Sequence, residues 1–311
     1  MAGDTETRHL GLDLGGTNLK WAVVAHRDGE WRTVDRGQEP TRELPDPAGV
    51  PAAVVAQLAE VGRAAAGQAG PVVSVGIGVP GLFDPVAGST RFILNIPGPW
   101  AGQPVAGPVA AALGVPAALI NDARAFGVAE LRLGAGRGAR AMVGLTLGTG
   151  VGGVIAVDGH VYQGRDGTGG ELGHQTIDPD GPWCNCGSRG CLESFARADQ
   201  IAAACGTPTA EAAFEAARRG DPEAVRGIAD IGRYLGVGIA TMITLITPDR
   251  VVIGGGISAA LDLLLPPIRA ELERRVRTTA LAPVELVPAE LGIWAGAIGA
   301  AIHGAERAAA A

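Results

Sequence analysis

The sequence lacks the features by which several large classes of protein are recognised. It has no run of lysine and arginine that a nucleic-acid backbone would bind, and its formal net charge is -7. Residues 1–9 are polar and contain no apolar signal segment. Two uncharged apolar stretches, residues 141–157 and 235–248, are respectively too rich in glycine and too short to cross a membrane. We therefore expect a cytoplasmic protein that binds neither nucleic acid nor membranes.

Aromatic residues are also scarce, at 4% of the chain, whereas hydrophobic residues reach 47%. The cores must therefore be built from aliphatic side chains, and 311 residues are enough for two domains of ordinary size. Glycine is abundant, with 49 residues, but it has no three-residue period. We interpret these glycines as tight turns and as places where the backbone approaches a ligand closely.

The common nucleotide-binding motifs are missing as well. No G-x-x-x-x-G-K-[ST] run occurs, which argues against a P-loop. The turn at Gly15-Gly16-Thr17 joins a strand to a strand, whereas a dinucleotide-binding fold would place a helix there. The same strand–turn–strand pattern recurs at Gly148-Thr149-Gly150. This repetition half a chain apart predicts two related α/β domains that face each other.

The hydrophobic pattern predicts the elements of these domains. Strands are expected at residues 9–13, 19–25, 72–79, 117–120, 142–147, 152–157 and 250–253. Helices are expected at residues 51–66, 105–113, 123–133, 210–220, 222–247, 259–275 and 295–307. We expect a small domain made of residues 1–119 and about 294–311, with the last helix returning to it, and a large domain made of residues 120–293.

Only four cysteines are present, and three of them are crowded within eight residues. With the preceding histidine they give the pattern H-x9-C-x-C-x4-C, formed by His174, Cys184, Cys186 and Cys191. Three thiolates and an imidazole complete a tetrahedral shell for a structural Zn²⁺ ion. The alternative is a group of buried free cysteines beside an unrelated histidine, since a disulfide between Cys184 and Cys186 would be strained. The fourth, Cys205, is expected to be a small buried hydrophobe.

Glycine turns are also candidates for phosphate binding, because their backbone N–H groups can approach phosphate oxygens without obstruction. Each of the two repeated turns, taken alone, is more typical of an ordinary β-hairpin. As a pair they favour a nucleotide site in which Gly15, Gly16, Thr17, Gly148, Thr149 and Gly150 contact phosphate oxygens. Asp13, at the end of the first strand, could hold Mg²⁺ through water. Gly254 and Gly255 follow another buried strand and add a third approach, near the adenine or the α-phosphate.

Carboxylates stand at two places where they could act on a hydroxyl-bearing ligand. Asp122 follows a buried strand and precedes a helix, so it is either the helix cap or a catalytic base, and position alone does not decide. Glu171 and Glu193 flank the proposed metal ligands, although an isolated glutamate is more often a surface residue. Asn95 could add an amide or could simply form a turn before Pro97.

Taken together, these motifs resemble those of the ROK family of bacterial sugar kinases and sugar-responsive repressors, and most resemble its glucokinases. The resemblance extends over nearly the whole chain, and its cysteine motif is highly specific. The motifs that carry it are Asp13-Leu14-Gly15-Gly16-Thr17, Gly78-Val79-Pro80-Gly81, Asn121-Asp122, Leu147 to Gly153, Gly170-Glu171-Leu172-Gly173-His174, Cys184 to Glu193, and Val252-Ile253-Gly254-Gly255-Gly256.

The resemblance implies a two-domain ribonuclease-H-like fold of the actin/hexokinase type, with a cleft between the domains. It implies an ATP-dependent kinase for the 6-hydroxyl of a hexose, with glucose as the expected substrate and Asp122 as the base. It also implies sugar contacts from Gly81, Asn95, Asn121, Asp122, Glu171, His174 and Glu193. One nitrogen of His174 would bind Zn²⁺ and the other would bind the sugar. Dimers or tetramers are expected from the family.

One departure from the family pattern concerns the sugar. Pro99 stands beside Trp100, where the family usually has glycine. The specificity for glucose is therefore less firmly implied than a hexose in general, and N-acetylmannosamine, N-acetylglucosamine, an amino sugar and fructose remain alternatives. Polyphosphate remains an alternative donor. A sugar-sensing regulator is disfavoured, since only about eight residues precede the first strand and the net charge is negative.

Overall fold

The computed structural model describes residues 6–93 and 95–310. The chain divides into two compact units. Unit 1 contains the described residues up to Arg137, the segment Gln163–Gly169, and the described residues from Ile293 onward. Unit 2 consists of Gly138–Tyr162 and Gly170–Gly292.

Unit 1 is built on a five-stranded mixed sheet with the order β3-β2-β1-β4-β7. Its first three strands form an antiparallel meander, and β4 and β7 add in parallel to β1. The strands of the sheet are β1 (Thr7–Leu14), β2 (Asn18–Arg27), β3 (Glu30–Pro40), β4 (Ser74–Val79) and β7 (Ala117–Asn121). A separate hairpin consists of β5 (Gly81–Asp84) and β6 (Ser89–Ile93).

Four helices complete the described part of unit 1: α1 (Val50–Ala69), α2 (Ala106–Leu113), α3 (Asp122–Leu133) and α9 (Ala295–Ala309). A short 3-10 turn, Pro47–Gly49, leads into α1, and another, Gly292–Trp294, leads into α9. The core is aliphatic, as composition predicts, and centres on β1 and β4, whose leucine, valine and isoleucine side chains are fully buried. The helix α9 packs on β1, β2, β4, β7 and α3, so the last helix belongs to unit 1, as predicted.

Unit 2 repeats this sheet. Its five strands have the order β10-β9-β8-β11-β12, with β8 to β10 antiparallel and with β11 and β12 parallel to β8. They are β8 (Ala141–Leu147), β9 (Val151–Val157), β10 (His160–Val161), β11 (Arg250–Gly254) and β12 (Glu285–Pro288). The helices are α4 (Glu193–Ala196), α5 (Ala198–Ala204), α6 (Ala210–Arg218), α7 (Pro222–Ile246) and α8 (Leu261–Arg275). Short 3-10 turns lie at Leu172–His174 and Gly256–Ala260.

The helix α7 is the one described helix that is long and apolar enough to cross a membrane by length and composition alone. Its C-terminal half contains most of the uncharged stretch 235–248 noted in the sequence. One face of α7, including Ile231, Leu235 and Ile239, is buried in the core of unit 2 together with α8 and strand residues such as Leu145. This burial is what a core helix of a globular unit shows.

The first boundary between the two units lies after Arg137, whereas the sequence suggested a boundary after residue 119. Residues 120–137, which include α3, lie in unit 1 and not with the larger C-terminal portion. The reason is that β7 pairs with β4 of the first sheet and α3 packs along α9. The segment Gln163–Gly169 also belongs to unit 1, although both of its flanking segments belong to unit 2.

Candidate functional site

The junction between β7 and α3 holds Asn121 and Asp122. The side-chain oxygen of Asn121 accepts hydrogen bonds from the backbone N–H groups of Ala123 and Arg124, at 3.1 and 3.3 Å, so Asn121 is the helix cap. Asp122 is the first residue of the helix, is partly buried, and accepts a hydrogen bond from Ala123 N at 2.8 Å. The choice left open by the sequence is thus partly resolved, because the capping position is taken by the neighbouring asparagine.

The amide of Asn121 also links β7 to the start of β5. Its Nδ2 donates to the carbonyl oxygen of Gly81 at 3.4 Å, so both residues lie together in unit 1, close to Asp122. Gly81 has a φ of 140°, and a Cβ there would meet the backbone of Phe92 at 2.2 Å. Glycine is therefore required at this position by the backbone of the hairpin.

Asp13 lies near the end of β1, the central strand of the same sheet. Its carboxylate is buried, and that burial raises the pKa, while Lys20 opposes the rise. Lys20 is the cross-strand partner of Asp13, and its Nζ lies 3.8 Å from Asp13 Oδ2. A Cβ at Gly296 would come within 2.5 Å of the carboxylate, and one at Gly78 within 3.3 Å. Small residues on two neighbouring elements therefore make room for this aspartate.

The turn between β1 and β2 contains the predicted residues Gly15, Gly16 and Thr17, of which the last two are exposed. Thr41 fixes the turn through two hydrogen bonds: its hydroxyl donates to Gly15 O at 2.7 Å and its N–H donates to Thr17 O at 2.9 Å. A Cβ on Gly16 would meet Asn95 O at 2.8 Å, which places the exposed Asn95 beside the turn. The two glycines are needed because the chain folds back tightly on itself here.

The loop that follows Asn95 is anchored by Trp100. The indole of Trp100 is buried, and its Nε1 donates to Ile96 O at 2.9 Å. Pro99, the departure from the family pattern, is exposed, whereas Gly98 before it has a φ of 124°. The exposed proline thus stands between a glycine with positive φ and a buried tryptophan.

In unit 2 the corresponding turn is Gly148–Gly150, between β8 and β9. It is closed by a hydrogen bond from Gly148 N to Gly150 O at 3.0 Å, and Gly148 O accepts from Ala198 N at 2.9 Å. Thr149 at its tip is exposed. The glycines predicted as a third approach, Gly254 and Gly255, lie directly beside this turn, because β11 is the parallel neighbour of β8.

The backbone of Gly255 comes very close to the residue that precedes this turn. Gly255 has a φ of 85°, and a Cβ there would lie 2.2 Å from Leu147 O. The carboxyl ends of two neighbouring parallel strands thus present two glycine turns side by side, and these turns were separate motifs in the sequence. Such an edge is where open α/β sheets bind their ligands.

The four predicted metal ligands come together. One ligand atom from each of His174, Cys184, Cys186 and Cys191 lies within 4.8 Å of all the others. The Sγ atoms of Cys186 and Cys191 are 3.7 Å apart, and Cys184 Sγ is 3.6 Å from His174 Nδ1. A tetrahedral ion with metal–sulfur and metal–nitrogen bonds of about 2.3 and 2.05 Å would require a sulfur–sulfur distance of about 3.8 Å and a sulfur–nitrogen distance of about 3.6 Å. The donor set and its spacing therefore fit a closed tetrahedral metal site.

The loop around these ligands depends on two glycines with positive φ. Gly187 has a φ of 90° and Gly190 a φ of 67°, and a Cβ at Gly190 would fall 1.6 Å from Asp178 O. Burial and then the neighbouring thiols raise the pKa of Cys191 to about 12, so this thiol keeps its proton at neutral pH unless a cation displaces it. The tight wrapping that the sequence predicted for these glycines is present.

Glu193 connects the cysteine loop to the Gly148–Gly150 turn. Its Oε2 accepts from Val151 N at 2.9 Å, and its Oε1 lies 3.7 Å from Cys184 Sγ. A Cβ on Gly150 would meet the same carboxylate at 2.6 Å. Glu171 is exposed and immediately precedes the 3-10 turn that carries His174. The carboxylate of Glu193 is thus held between the cysteine loop and this turn.

Two residues near the Gly15–Thr17 turn, Thr41 and Lys20, were not predicted from the sequence. Thr41 follows a strand that had not been predicted, and an isolated threonine carries no signal. Lys20, in contrast, carries a clear signal, since it is the single lysine among the 25 basic residues of the chain.

The sequence and the fold are both similar to those of known proteins. The sequence model described as the ROK family matches residues 9–306. The chain is 35% identical to the glucokinase of Thermotoga maritima over 94% of this chain and 95% of that one. It also matches the crystal structure of a ROK hexokinase from Thermus thermophilus, with 34% identity, a TM-score of 0.83, and coverage of 98% of this chain and 100% of that one.

A second solved structure carries ligands. It is a ROK family glucokinase from Streptomyces griseus in complex with glucose and AMPPNP, at 31% identity and a TM-score of 0.77. The match covers 96% of this chain and 99% of that one. The predicted actin/hexokinase-type α/β architecture is confirmed by these matches, together with the repeated sheet order of the two units.

Proposed function

Because the chain belongs to the ROK family, we propose that it is an ATP-dependent glucokinase, which transfers the γ-phosphoryl group of ATP to the 6-hydroxyl of glucose. The observation that carries the proposal is the arrangement at the start of α3, where Asn121 is the cap and Asp122 follows it at the rigid end of β7. The curated relative named glucokinase and the solved glucokinase with glucose and AMPPNP support the same reaction.

In this reaction Asp122 is the general base. The carboxylate of Asp122 accepts the proton of the 6-hydroxyl while the oxygen of that hydroxyl forms a bond to the γ-phosphorus. The bond between the γ-phosphorus and the bridging oxygen breaks, and ADP leaves with the bonding electrons. Phosphoryl transfer of this kind depends mainly on positioning and on charge stabilisation, so a single well-placed base is sufficient.

The nucleotide phosphates are assigned to glycine turns of both units. We assign Gly15, Gly16 and Thr17 in unit 1, and Gly148, Thr149 and Gly150 in unit 2, with Gly254 and Gly255 toward the nucleoside. The exposure of both threonines and the close backbone packing at Gly16 and Gly255 support this assignment. Bound Mg²⁺ would supply charge neutralisation at the phosphates. Asp13, an oxygen donor in a cradle of glycines, is the residue to hold it through water.

Sugar hydroxyls are assigned to polar side chains of each unit. In unit 1 these are Asn95 and Asn121, with Gly81 lining the site; in unit 2 they are Glu171, His174 and Glu193. Because His174 Nδ1 faces Cys184, the opposite ring nitrogen, Nε2, is the one to bind the sugar. Carboxylates, amides and imidazoles suit this task, since each can accept or donate paired hydrogen bonds.

We assign Zn²⁺ to the cluster of His174, Cys184, Cys186 and Cys191, which hold it with all four protein ligands and so give it a structural role. The protein would act in the cytoplasm, where thiols stay reduced and ATP is available. It would act there as a dimer or tetramer.

The proposal is tested by measuring ADP release with Mg-ATP against glucose, mannose, fructose, glucosamine, N-acetylglucosamine and N-acetylmannosamine. We expect the highest kcat/KM for glucose. Higher kcat/KM for another sugar would keep the mechanism and overturn glucose as the substrate. A folded, metal-loaded protein that releases no ADP with any of these sugars would contradict the ATP-dependent kinase, and repeating the panel with polyphosphate would show whether the donor alone was wrong.

A further inference from the structure

The chain contains 25 basic residues, of which 24 are arginine and one is lysine. Arginine therefore provides every permanent side-chain cation except one, including the exposed ion pairs Arg32–Glu6 and Arg250–Glu285, both at 2.7 Å. The exception is Lys20, which stands beside the buried carboxylate of Asp13. A composition so strongly biased toward arginine, with the one lysine at the nucleotide turn, calls for a function that an ammonium performs and a guanidinium does not.

A simple ion pair does not account for this position. The distance between Lys20 Nζ and Asp13 Oδ2 is 3.8 Å, which exceeds the roughly 3.2 Å limit of a direct N–H···O hydrogen bond. The contact with the carboxylate is therefore a long one, so the donors of the ammonium can also serve a ligand. The side chain is 20% exposed, which allows contact with a bound molecule.

The backbone places this ammonium next to the turn at Gly15–Thr17. Asp13 and Lys20 are directly opposite each other in the antiparallel pair β1–β2, and Leu14 pairs with Leu19 one step closer to the turn. Directly opposed residues of a ladder share one face of the sheet. The base of the turn therefore presents a carboxylate and an ammonium side by side, and the carboxylate suits a divalent cation while the ammonium suits the phosphate bound to it.

We propose that Lys20 is a phosphate-binding catalytic residue, whose ammonium contacts the terminal phosphate oxygens of the nucleotide and stabilises the negative charge that develops there during transfer. The inference rests on the proposed kinase function and adds a residue to it. An ammonium is a compact point charge with three donors on a flexible stem, whereas the guanidinium is a wide planar fork. Next to the crowded carboxylate of Asp13, the compact group can reach phosphate oxygens without displacing the aspartate.

The single lysine makes a direct test possible. Protein grown with lysine labelled with ¹³C at Cε gives one lysine Hε–Cε cross-peak, which needs no assignment. We expect this peak to shift and saturate on titration with Mg-AMPPNP, with the affinity that calorimetry gives for the same nucleotide, and to stay in place with glucose alone. A peak that stays in place while calorimetry shows Mg-AMPPNP to be bound would overturn the inference.

Two substitutions and a control complete the test. Lys20→Met should lower kcat by about 10²–10³-fold, which is the usual effect of removing one donor to developing charge. Lys20→Arg should recover only part of that loss, and neither change should alter the affinity for glucose. The control, Arg27→Met, removes an exposed cation from the same strand and should keep kcat within about twofold.

The outcomes separate the two proposals. If the wild-type protein phosphorylates glucose and Lys20→Met keeps kcat within about threefold, Lys20 is not catalytic and the kinase assignment stands. If calorimetry detects no nucleotide binding to the folded wild-type protein, the ATP-dependent function fails, and the inference about Lys20 fails with it.

Discussion

Asn121 and Asp122 are adjacent in the chain but have different hydrogen-bond partners. Asn121 satisfies the first N–H groups of α3, whereas Asp122 lies within the helix at its first position. At the residue scale this division is the most informative feature of the site. The sequence alone predicts a carboxylate at a strand end, but it does not tell which of two polar residues forms the cap, because both asparagine and aspartate are good caps.

The first prediction concerns this aspartate. Asp122→Asn should lower kcat by at least about 10²–10⁴-fold, the range that a general base contributes, because the amide cannot take the proton of the hydroxyl. The fold and the affinity for glucose should be retained, since the cap is provided by Asn121. Turnover by the ADP-release assay and glucose binding by calorimetry check both parts.

The control for that variant is Asp28→Asn. Asp28 is exposed and has a φ of 53°, a conformation that asparagine tolerates well, so the same chemical change is made without backbone strain. It should keep normal turnover. The base assignment would be wrong if Asp122→Asn remained within a few-fold of the parent.

A second residue-scale prediction concerns His9, which is buried between the hydroxyls of Ser74, at 2.8 Å, and Thr7, at 3.0 Å. Burial, with a smaller contribution from His26, lowers the pKa of His9 from 6.5 to about 4. Between these pH values the unfolded chain binds a proton that the folded chain does not bind. The resulting stability is therefore full above about pH 6.5 and is lost progressively as the pH falls to about 4.

The measurement is urea denaturation at several pH values, followed by tryptophan fluorescence. Four of the five tryptophans, all except Trp183, lie in unit 1 with His9, so the signal reports mainly on that unit. Relative to the wild type, His9→Gln should lack a dependence of up to about 1.4 kcal/mol per pH unit in this window. His160→Gln, an exposed histidine of unit 2, should behave like the wild type. Identical slopes for wild type and His9→Gln would show that the histidine is not the cause.

At the scale of elements, the helix α9 is held against the first sheet by glycines. A Cβ at Gly76 of β4 would lie 1.7 Å from Ala300 O, and one at Gly11 of β1 would lie 1.8 Å from Ala297 O. The backbone of the helix thus rests directly on the backbone of the strands. The same packing brings Gly296, at the start of α9, against the carboxylate of Asp13, so the helix also restricts the position of this carboxylate.

We therefore expect Gly76→Ala to destabilise unit 1 by about 3 kcal/mol or more, the upper range for overpacking. The atoms that the new Cβ would meet, in Ala300 and Gly304, are all backbone atoms and cannot move independently. Urea denaturation at neutral pH with tryptophan fluorescence gives the free energy. Gly107→Ala is the matched control: Gly107 lies in α2 with no atom near its Cβ position, and alanine there should stabilise by up to about 1 kcal/mol. Equal stability of the two variants would contradict the packing described here.

The elements that periodicity predicts well are those with a buried face. The helices α1, α2, α3, α6, α7, α8 and α9 and the strands β1, β2, β4, β7, β8, β9 and β11 lie within a few residues of their predicted bounds. The strand β3 was not predicted because it is an edge strand that is largely exposed and has no apolar alternation. The strands β5, β6, β10 and β12 are short, and their pairing is decided by tertiary contacts that no local pattern encodes.

At the scale of the whole molecule, two sheets of the same order recur in one chain. The strand–turn–strand repeat predicted this duplication, and the cysteine spacing predicted the metal cluster, because both patterns are local in sequence. The boundary between the units differs from the predicted one. It depends on the pairing of β7 with β4, which joins residues about 40 positions apart and which no local pattern encodes. The proximity of the Gly148 and Gly255 turns likewise depends on parallel pairing across about 100 residues.

The metal cluster provides a prediction at this scale, since it joins several segments of unit 2. Cys186→Ser should lose the metal and weaken glucose binding by about 10- to 100-fold, because His174 and Glu193 lose their fixed positions. Metal content by elemental analysis and glucose affinity by calorimetry should fall together. Cys205→Ala, a buried cysteine outside the cluster, should keep both. Undiminished glucose affinity in a metal-free Cys186→Ser protein would refute the coupling.

The central claim is that this protein transfers phosphate from ATP to the 6-hydroxyl of glucose. The most direct measurement is NMR analysis of the product formed from uniformly ¹³C-labelled glucose and Mg-ATP by the wild-type protein. We expect a single phosphorylated sugar in which phosphorus couples to C6, formed together with an equal amount of ADP. A phosphate at another carbon, or ADP formed without any sugar phosphate, would contradict the account.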